Sequence, residues 1–339
     1  MRSLASIRVA GENFPIVGAD LITATRVDGW VCVTQKGEFN VGDLGVYFEI
    51  DSFLPGTDKR FSFLEKTFIN WLGNVGARLR TIKLRGQVSQ GLFLPMRLFP
   101  ELDGKVVGDD VTEILNIQKW EAPVPTQLAG EVTGKMRSVI PITDEERIQN
   151  LIDKIKTHIA GQTFEKTIKL DGTSMTVFCH EGQLGVAGRN WELRESEANT
   201  LWRVARKNKL IEAVGSLGKN IAIRGELIGE GIQENNEKLV GNDFYLFNIW
   251  DIDKQEYLSP EDREIVVAEL VNLGAKINQV PTEGFIVFDE NVTVDDILSL
   301  ADGKSLFSPN REGIVFKRKD GKFSFKAISN WYLLKHANR

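Results

Sequence analysis

The chain has 339 residues, 42% hydrophobic and 26% charged, with a formal net charge of −5. That profile excludes disordered, collagenous and low-complexity classes, and the length accommodates two domains of ~100–200 residues each. No apolar run approaches the ~20 residues that span a bilayer, and MRSLASIRVAGENFP lacks the apolar core of a secretory signal, so an intracellular, cytoplasmic protein is expected.

Residues 1–120 read as β-rich. WVCVT (30–34) and VYFEI (46–50) are strand-like runs on either side of a turn region at Gly42-Asp43, and shorter strands are expected at 79–84 and 91–95. A small closed or partly open barrel suits this spacing. Cys32 is the first of two cysteines and Cys179 the second; they either pair or stand as free thiols, and two isolated thiols suit a reducing compartment. Within 78–85 the basic residues Arg78, Arg80, Lys83 and Arg85 are interleaved with apolar ones, which reads either as a solvated strand face or as a nucleic-acid patch. The acidic net charge does not decide between them, because binding depends on the local patch.

Residues 121–142, with Pro123, Pro125, Gly130, Gly134 and Pro141, predict a linker or strap. A helix is expected to follow: Thr143 and Glu146 form a capping box, and Ile148, Leu151, Ile152, Ile155 and Ile159 keep helical spacing until Gly161. A second helix is expected over 195–214, and a third from Ser259-Pro260 to Gly274. Thr293 reads as a helix N-cap, which leaves the Asn291 sequon idle. Strands are expected at 164–169, 174–179, 221–228, 244–250, 284–288 and 313–317, with another through 323–329. Residues 143–339 therefore read as a mixed α+β domain.

Within it, Lys169-Leu170-Asp171-Gly172 places an amine and a carboxylate on one strand face. A lysine is protonated at neutral pH, and a neighbouring carboxylate raises its pKa further. A divalent metal on that carboxylate reverses the effect, so the run reads either as a nucleophile beside a metal post or as a strand entering an Asp-Gly turn. Downstream lie RGELIG (224–229), the aromatic FYLFNIW (244–250), REGIVFK (311–317) and FSFKAIS (323–329). Two other clusters carry no chemistry. Gly215–Lys219 is too short for a phosphate-binding loop, and His158, His180 and His336 lack metal-ligand spacing.

In this order and spacing the runs resemble the motifs of the covalent nucleotidyltransferases, the polynucleotide ligases and messenger-RNA capping enzymes. KLDG is similar to motif I, GELIG to motif III, FYLFNIW to motif IIIa, EGIVFK to motif IV, and the Lys326 strand to motif V. Gly188-Arg189-Asn190 is similar to the Arg-Asn element that follows motif I in RNA ligases. DNA ligases and capping enzymes carry a barrel after motif V, whereas here the extra domain comes first. GADLITATRVDGWVCVTQKGEFNVGDLGVYFEIDSFLP and RLRTIKLRGQVSQGLFLP resemble the N-terminal OB-like module of one RNA ligase family.

The resemblance implies an OB-like β-barrel at 1–120, a linker at 121–142 and a nucleotidyltransferase domain at 143–339. It implies ATP-dependent sealing of 3′-OH/5′-phosphate RNA ends, or of nicks in RNA-containing duplexes, with no membrane or obligate protein partner. Lys169 is the implied nucleophile, forming lysyl-AMP, while Asp171, Glu226 and Glu312 hold Mg²⁺ or Mn²⁺ through its waters. Arg147, Glu165, Ile168, Arg189, Phe247, Lys317 and Lys326 are the implied nucleotide contacts, and Arg78, Arg80, Lys83 and Arg85 the nucleic-acid contacts. Two departures stand out. Ile168 occupies the place where RNA ligases commonly carry Glu, with Glu165 the candidate substitute. Motif V offers Lys326 alone, so leaving-group orientation rests on it or on Lys322 or Lys335. Another covalent nucleotidyltransferase (a DNA ligase or capping guanylyltransferase) and a non-catalytic nucleic-acid binder are the competing readings.

Overall fold

The computed structural model describes residues 3–120, 131–142 and 144–336. The chain divides into two compact units, Met1–Val124 with Leu333–Arg339, and Pro125–Tyr332.

The first unit is built from short antiparallel strands. Ala5–Val9, Leu44–Phe48 and Leu92–Pro95 form one sheet, and Asn13–Pro15, Ile22–Val27 and Trp30–Gln35 a second. Strict alternation in WVCVTQ sends Trp30, Cys32 and Thr34 inward. Trp30 stacks on Tyr47 and Phe39 on Phe93, giving that sheet an aromatic core. Both cysteines are free and buried. Of the 78–85 run, Thr81–Leu84 is a strand of the hairpin closed at Arg85-Gly86.

The second unit contains two largely antiparallel sheets. One runs in the order Val132–Lys135, Trp191–Leu193, Gln183–Ala187, Thr173–His180, Ile221–Gly229, Asn242–Asp251, Glu256–Tyr257. The other runs Glu146–Arg147, Ser324–Ile328, Gly313–Arg318, Thr163–Lys169, Thr282–Val287. In the first sheet Ile221, Ile223, Leu227, Phe244 and Leu246 pack beneath the helices Thr200–Lys207, Leu210–Ser216 and Pro260–Asn272. In the second, Phe164, Ile314, Phe316, Phe325 and Ala327 pack against the helix Val294–Ser299 and the turns of 148–159. Period-two alternation then leaves Glu226 and Arg224 on the opposite face of the first sheet, and Glu165, Lys169, Lys317 and Lys326 on that of the second. The polar residues meet between the sheets, where Lys317 reaches across to the carbonyl of Phe247.

Three expectations are corrected. The 143–161 segment is not an α-helix. Glu146–Arg147 is a strand paired in parallel with Phe325-Lys326, followed by two 3₁₀ turns and a π turn over Ile155–Ile159. Ile148, Leu151, Ile155 and Ile159 still line one buried face, so the apolar spacing is real. The pairing with the Lys326 strand removes Glu146 from any cap, and Glu146 instead accepts from Asn150 and the Arg147 amide. Thr143 lies outside the described residues, as do Pro123, Pro125 and Gly130. The expected helix over 195–214 is two helices, capped by Asn199 and broken at Lys209 (φ 53°). Part of the expected strap, Val132–Lys135, is a strand paired with Trp191–Leu193. The helix from Ser259-Pro260 and the Thr293 cap are as the sequence predicts.

Candidate active site

Lys169 ends its strand opposite Gly313, which brings its ammonium within 2.8 Å of the Glu312 carboxylate. The chain then turns through Asp171-Gly172 into the strand that pairs with the Glu226 strand, with Ser174 opposite Glu226. Gly172 is required by a close approach: a Cβ there would lie 2.4 Å from the Leu227 carbonyl oxygen. The glycine of the KLDG run thus lets Asp171 and Glu226 share one cleft.

The electrostatics follow from crowding three carboxylates around one ammonium in a poorly solvated space. Desolvation pulls the Lys169 pKa down, but Glu312, Glu226 and Asp171 outweigh it and hold the ammonium above the ordinary lysine range. Desolvation, reinforced by Glu312 and Asp171 and opposed by Lys169, pushes the Glu226 carboxyl up to about 8. Desolvation likewise raises Glu312, with Lys169 opposing. This balance fits a divalent cation, whose charge relieves the carboxylates and removes the support that keeps Lys169 protonated. Among the described residues no three acidic, histidine or cysteine side chains stand close enough to grip an ion directly. A hydrated ion, held through its waters, suits that spacing.

Asp144 bridges the second cationic group. One oxygen lies 2.9 Å from the Lys326 ammonium and the other 2.8 Å from the guanidinium of Arg189, at the turn between Gln183–Ala187 and Trp191–Leu193. Parallel pairing sets Arg147 beside Lys326. Desolvation, with Arg147 and Lys169 adding to it and Asp144 opposing, lowers the Lys326 pKa. Deeper between the sheets, Glu165 lies opposite Lys317, and both its oxygens are engaged by Arg263 at 2.9 and 2.7 Å. Desolvation and the Arg263 charge bring Lys317 down to about 8, against the pull of Glu165. Ile168 packs in an apolar cluster with Leu170, Ile228 and Tyr245, and Phe247 borders the same cluster.

An OB-fold domain family matches residues 4–96 and an RNA ligase family residues 162–328. Naegleria gruberi RNA ligase with pyrophosphate is 55% identical, each chain covered over 100%, with a TM-score of 0.94. The chain belongs to the RNA ligase family. A lysine-to-alanine variant of the Naegleria gruberi RNA ligase with ATP and manganese is also 55% identical, covering 99% of this chain and 100% of that one, with a TM-score of 0.94. A search among curated proteins gave no match. In this RNA ligase an OB-fold domain precedes the nucleotidyltransferase domain.

Sequence reasoning missed the supports of the ligase site. Asp171 accepts from the Tyr332 hydroxyl at 2.7 Å and from the amide of Asn236, while Gln233 donates to the Gly172 carbonyl. Asp144, Asn236 and Tyr332 lie in no catalytic run, and only their position in the fold identifies them. In the first unit the four basic candidates separate. Arg78 pairs with Asp51 at 2.9 Å and lies over the Trp120 ring, 3.5 Å from its centroid. Desolvation and the neighbouring Arg78 charge lower the Arg80 pKa. Lys83 and Arg85 are exposed on the hairpin.

Proposed function

We propose that this RNA ligase uses ATP to seal 3′-OH and 5′-phosphate ends, or nicks in RNA-containing duplexes, through a lysyl-AMP intermediate at Lys169. The single observation that carries the reading is the Lys169 ammonium at 2.8 Å from Glu312 with Glu226 and Asp171 acting on the same charge. The Lys169 amine attacks the α-phosphorus of ATP, forming a P–N bond as the bond to pyrophosphate breaks and the lysine proton leaves. AMP then passes to the RNA 5′-phosphate, and the 3′-OH displaces it to form the new phosphodiester. Each step is an in-line displacement, so alignment and charge neutralisation supply most of the rate.

Asp171, Glu226 and Glu312 are the residues proposed to hold the waters of Mg²⁺ or Mn²⁺. Bound there, the cation supplies Lewis-acid charge at the α-phosphate. Lys326 and Lys317 meet phosphate oxygens as point charges, and Arg147 steers the pyrophosphate. Arg189 takes the ribose or the incoming 5′-phosphate, released from Asp144 as the nucleotide enters. Phe247 and Ile168 flank the base, and Glu165 with Arg263 forms the wall behind it. Arg80, Lys83 and Arg85 are the proposed backbone contacts of the first unit, with Arg78 bracing them through Trp120.

The test is transfer of label from ATP marked at the α-phosphate, read on a denaturing gel, with GTP and NAD in parallel. Wild type is expected to take label from ATP alone, and Lys169→Ala to lose it by more than about 1,000-fold. A wild-type protein unlabelled by ATP, even after pyrophosphate strips any resident AMP, would overturn the reading. Labelling from GTP would instead mark a capping activity, and matched RNA and DNA nicks separate RNA from DNA joining.

A further inference from the structure

Two loops meet at the Asp171 end of the cleft, 230–241 between the Glu226 and Phe247 strands and 302–311 ahead of Glu312. Glu237, only 4% exposed, turns its carboxylate into the second loop. It accepts from the Ser305 hydroxyl, from the Phe307 amide at 2.6 Å and from the Ser308 amide at 3.1 Å. The Ser305 amide closes the turn onto the Ser308 carbonyl at 2.9 Å. A buried carboxylate with three donors is a strong, directional anchor, so the 305–308 turn is held in one shape.

The anchor determines where the neighbouring side chains go. Leu306 packs against the cluster containing Ile168 and Leu170, the two residues that flank the nucleophile. Phe307 points the other way and leaves 65% of its surface in water. Asn236, the residue before Glu237, donates to Asp171. A short chain of bonds thus ties the backbone that carries an exposed aromatic ring to Asp171. Lys238 follows Glu237, Lys304 precedes Ser305, and both are exposed. Neither the packing of the turn nor the placement of Asp171 uses the Phe307 ring.

We propose that Phe307, flanked by Lys238 and Lys304, is a stacking platform for a nucleobase of the RNA strand beside the end being joined. The proposal rests on the RNA ligase reading and adds to it a residue that meets the nucleic acid rather than the nucleotide. Bases stripped of a stacking neighbour at a nick or end recover it on an aromatic face, and flanking ammonium groups meet the adjacent phosphates. Pre-organisation by Glu237 lowers the ordering cost of that contact.

The test separates the steps that need RNA from the one that does not. In Phe307→Ala, lysyl-AMP formation stays within about twofold of wild type, while the KM for nicked RNA in AMP transfer rises about 5- to 100-fold. Phe307→Trp retains the wild-type KM, and Phe307→Leu behaves as the alanine variant. Lys238→Ala combined with Lys304→Ala lowers the slope of log affinity against log salt by about 1 to 2. A wild-type KM in Phe307→Ala, or equal performance by Leu and Trp, overturns the platform. Quenching of a fluorescent purine placed at the nick, lost in Phe307→Ala, reads stacking without any adenylylation. It decides the platform even if no lysyl-AMP forms, an outcome that would sink the ligase reading instead.

Discussion

The cleft of the second unit and the hairpin of the first both concentrate basic residues, but they treat charge in opposite ways. Between the sheets, Lys169, Lys317, Lys326 and Arg263 are each matched to a carboxylate or carbonyl in a poorly solvated space. On the hairpin, Lys83 and Arg85 stand in water, whereas Arg78, on the preceding strand Asn74–Arg78, is tied down by Asp51 and Trp120. Low dielectric strengthens every interaction in the first case and salt screens them in the second. Changes in the cleft should therefore act on stability and chemistry together, whereas changes on the hairpin should act on affinity and its salt dependence.

The largest effect expected from this contrast is at the Glu165–Arg263 pair, whose side chains are 5% and 9% exposed. Arg263→Met leaves Glu165 buried without its partner, and a loss of about 3–5 kcal/mol is expected in urea unfolding. The double variant Glu165→Met/Arg263→Met should recover much of that loss; if it does not, packing rather than charge holds the region.

Next comes Glu226. Its folded pKa, at about 8, lies above the ordinary carboxyl value, so the protonated form is favoured by folding and that stability is lost as pH rises toward 8. In EDTA, Glu226→Gln is expected to raise the Tm at pH 8, with the gain shrinking as pH falls toward the unfolded carboxyl value. Adduct formation should fall steeply in the same variant. A variant less stable than wild type at pH 8 would mean that Glu226 stabilises the cleft rather than straining it.

The smallest effect is on the hairpin. Lys83→Ala with Arg85→Ala should leave stability within about 0.5 kcal/mol and lower the salt slope of RNA binding by about 1 to 2. Arg78→Ala should instead cost about 1–2 kcal/mol of stability through its lost ion pair and ring contact. Equal effects from both sets would erase the distinction between the two surfaces.

The sequence carried the strands of the cleft because period-two alternation and catalytic spacing coincide there. Lys169 ends its strand, Glu312 stands at the entrance of another and Glu226 lies within a third, and each sits in a run that is contiguous in the chain. The 143–161 segment misled because i, i+3 and i+4 spacing also serves a series of 3₁₀ and π turns on one buried face. Nothing local reveals that Glu146–Arg147 pairs with a strand about 180 residues away in the chain. Asn236, Glu237 and Tyr332 were invisible for a related reason, since each acts on a partner more than 60 positions distant. Asp171 is legible as a motif, whereas the groups that aim it emerge only from the fold.

Tyr332 also sets a clock. Its hydroxyl reaches Asp171 across 161 positions of sequence, so the carboxylate beside Lys169 lacks one of its side-chain donors until the helix Asn330–Lys335 has been made. At ~5–20 residues per second, a ribosome takes about 8–30 s to travel from one to the other. During that interval the nascent protein carries Lys169 without the finished cleft.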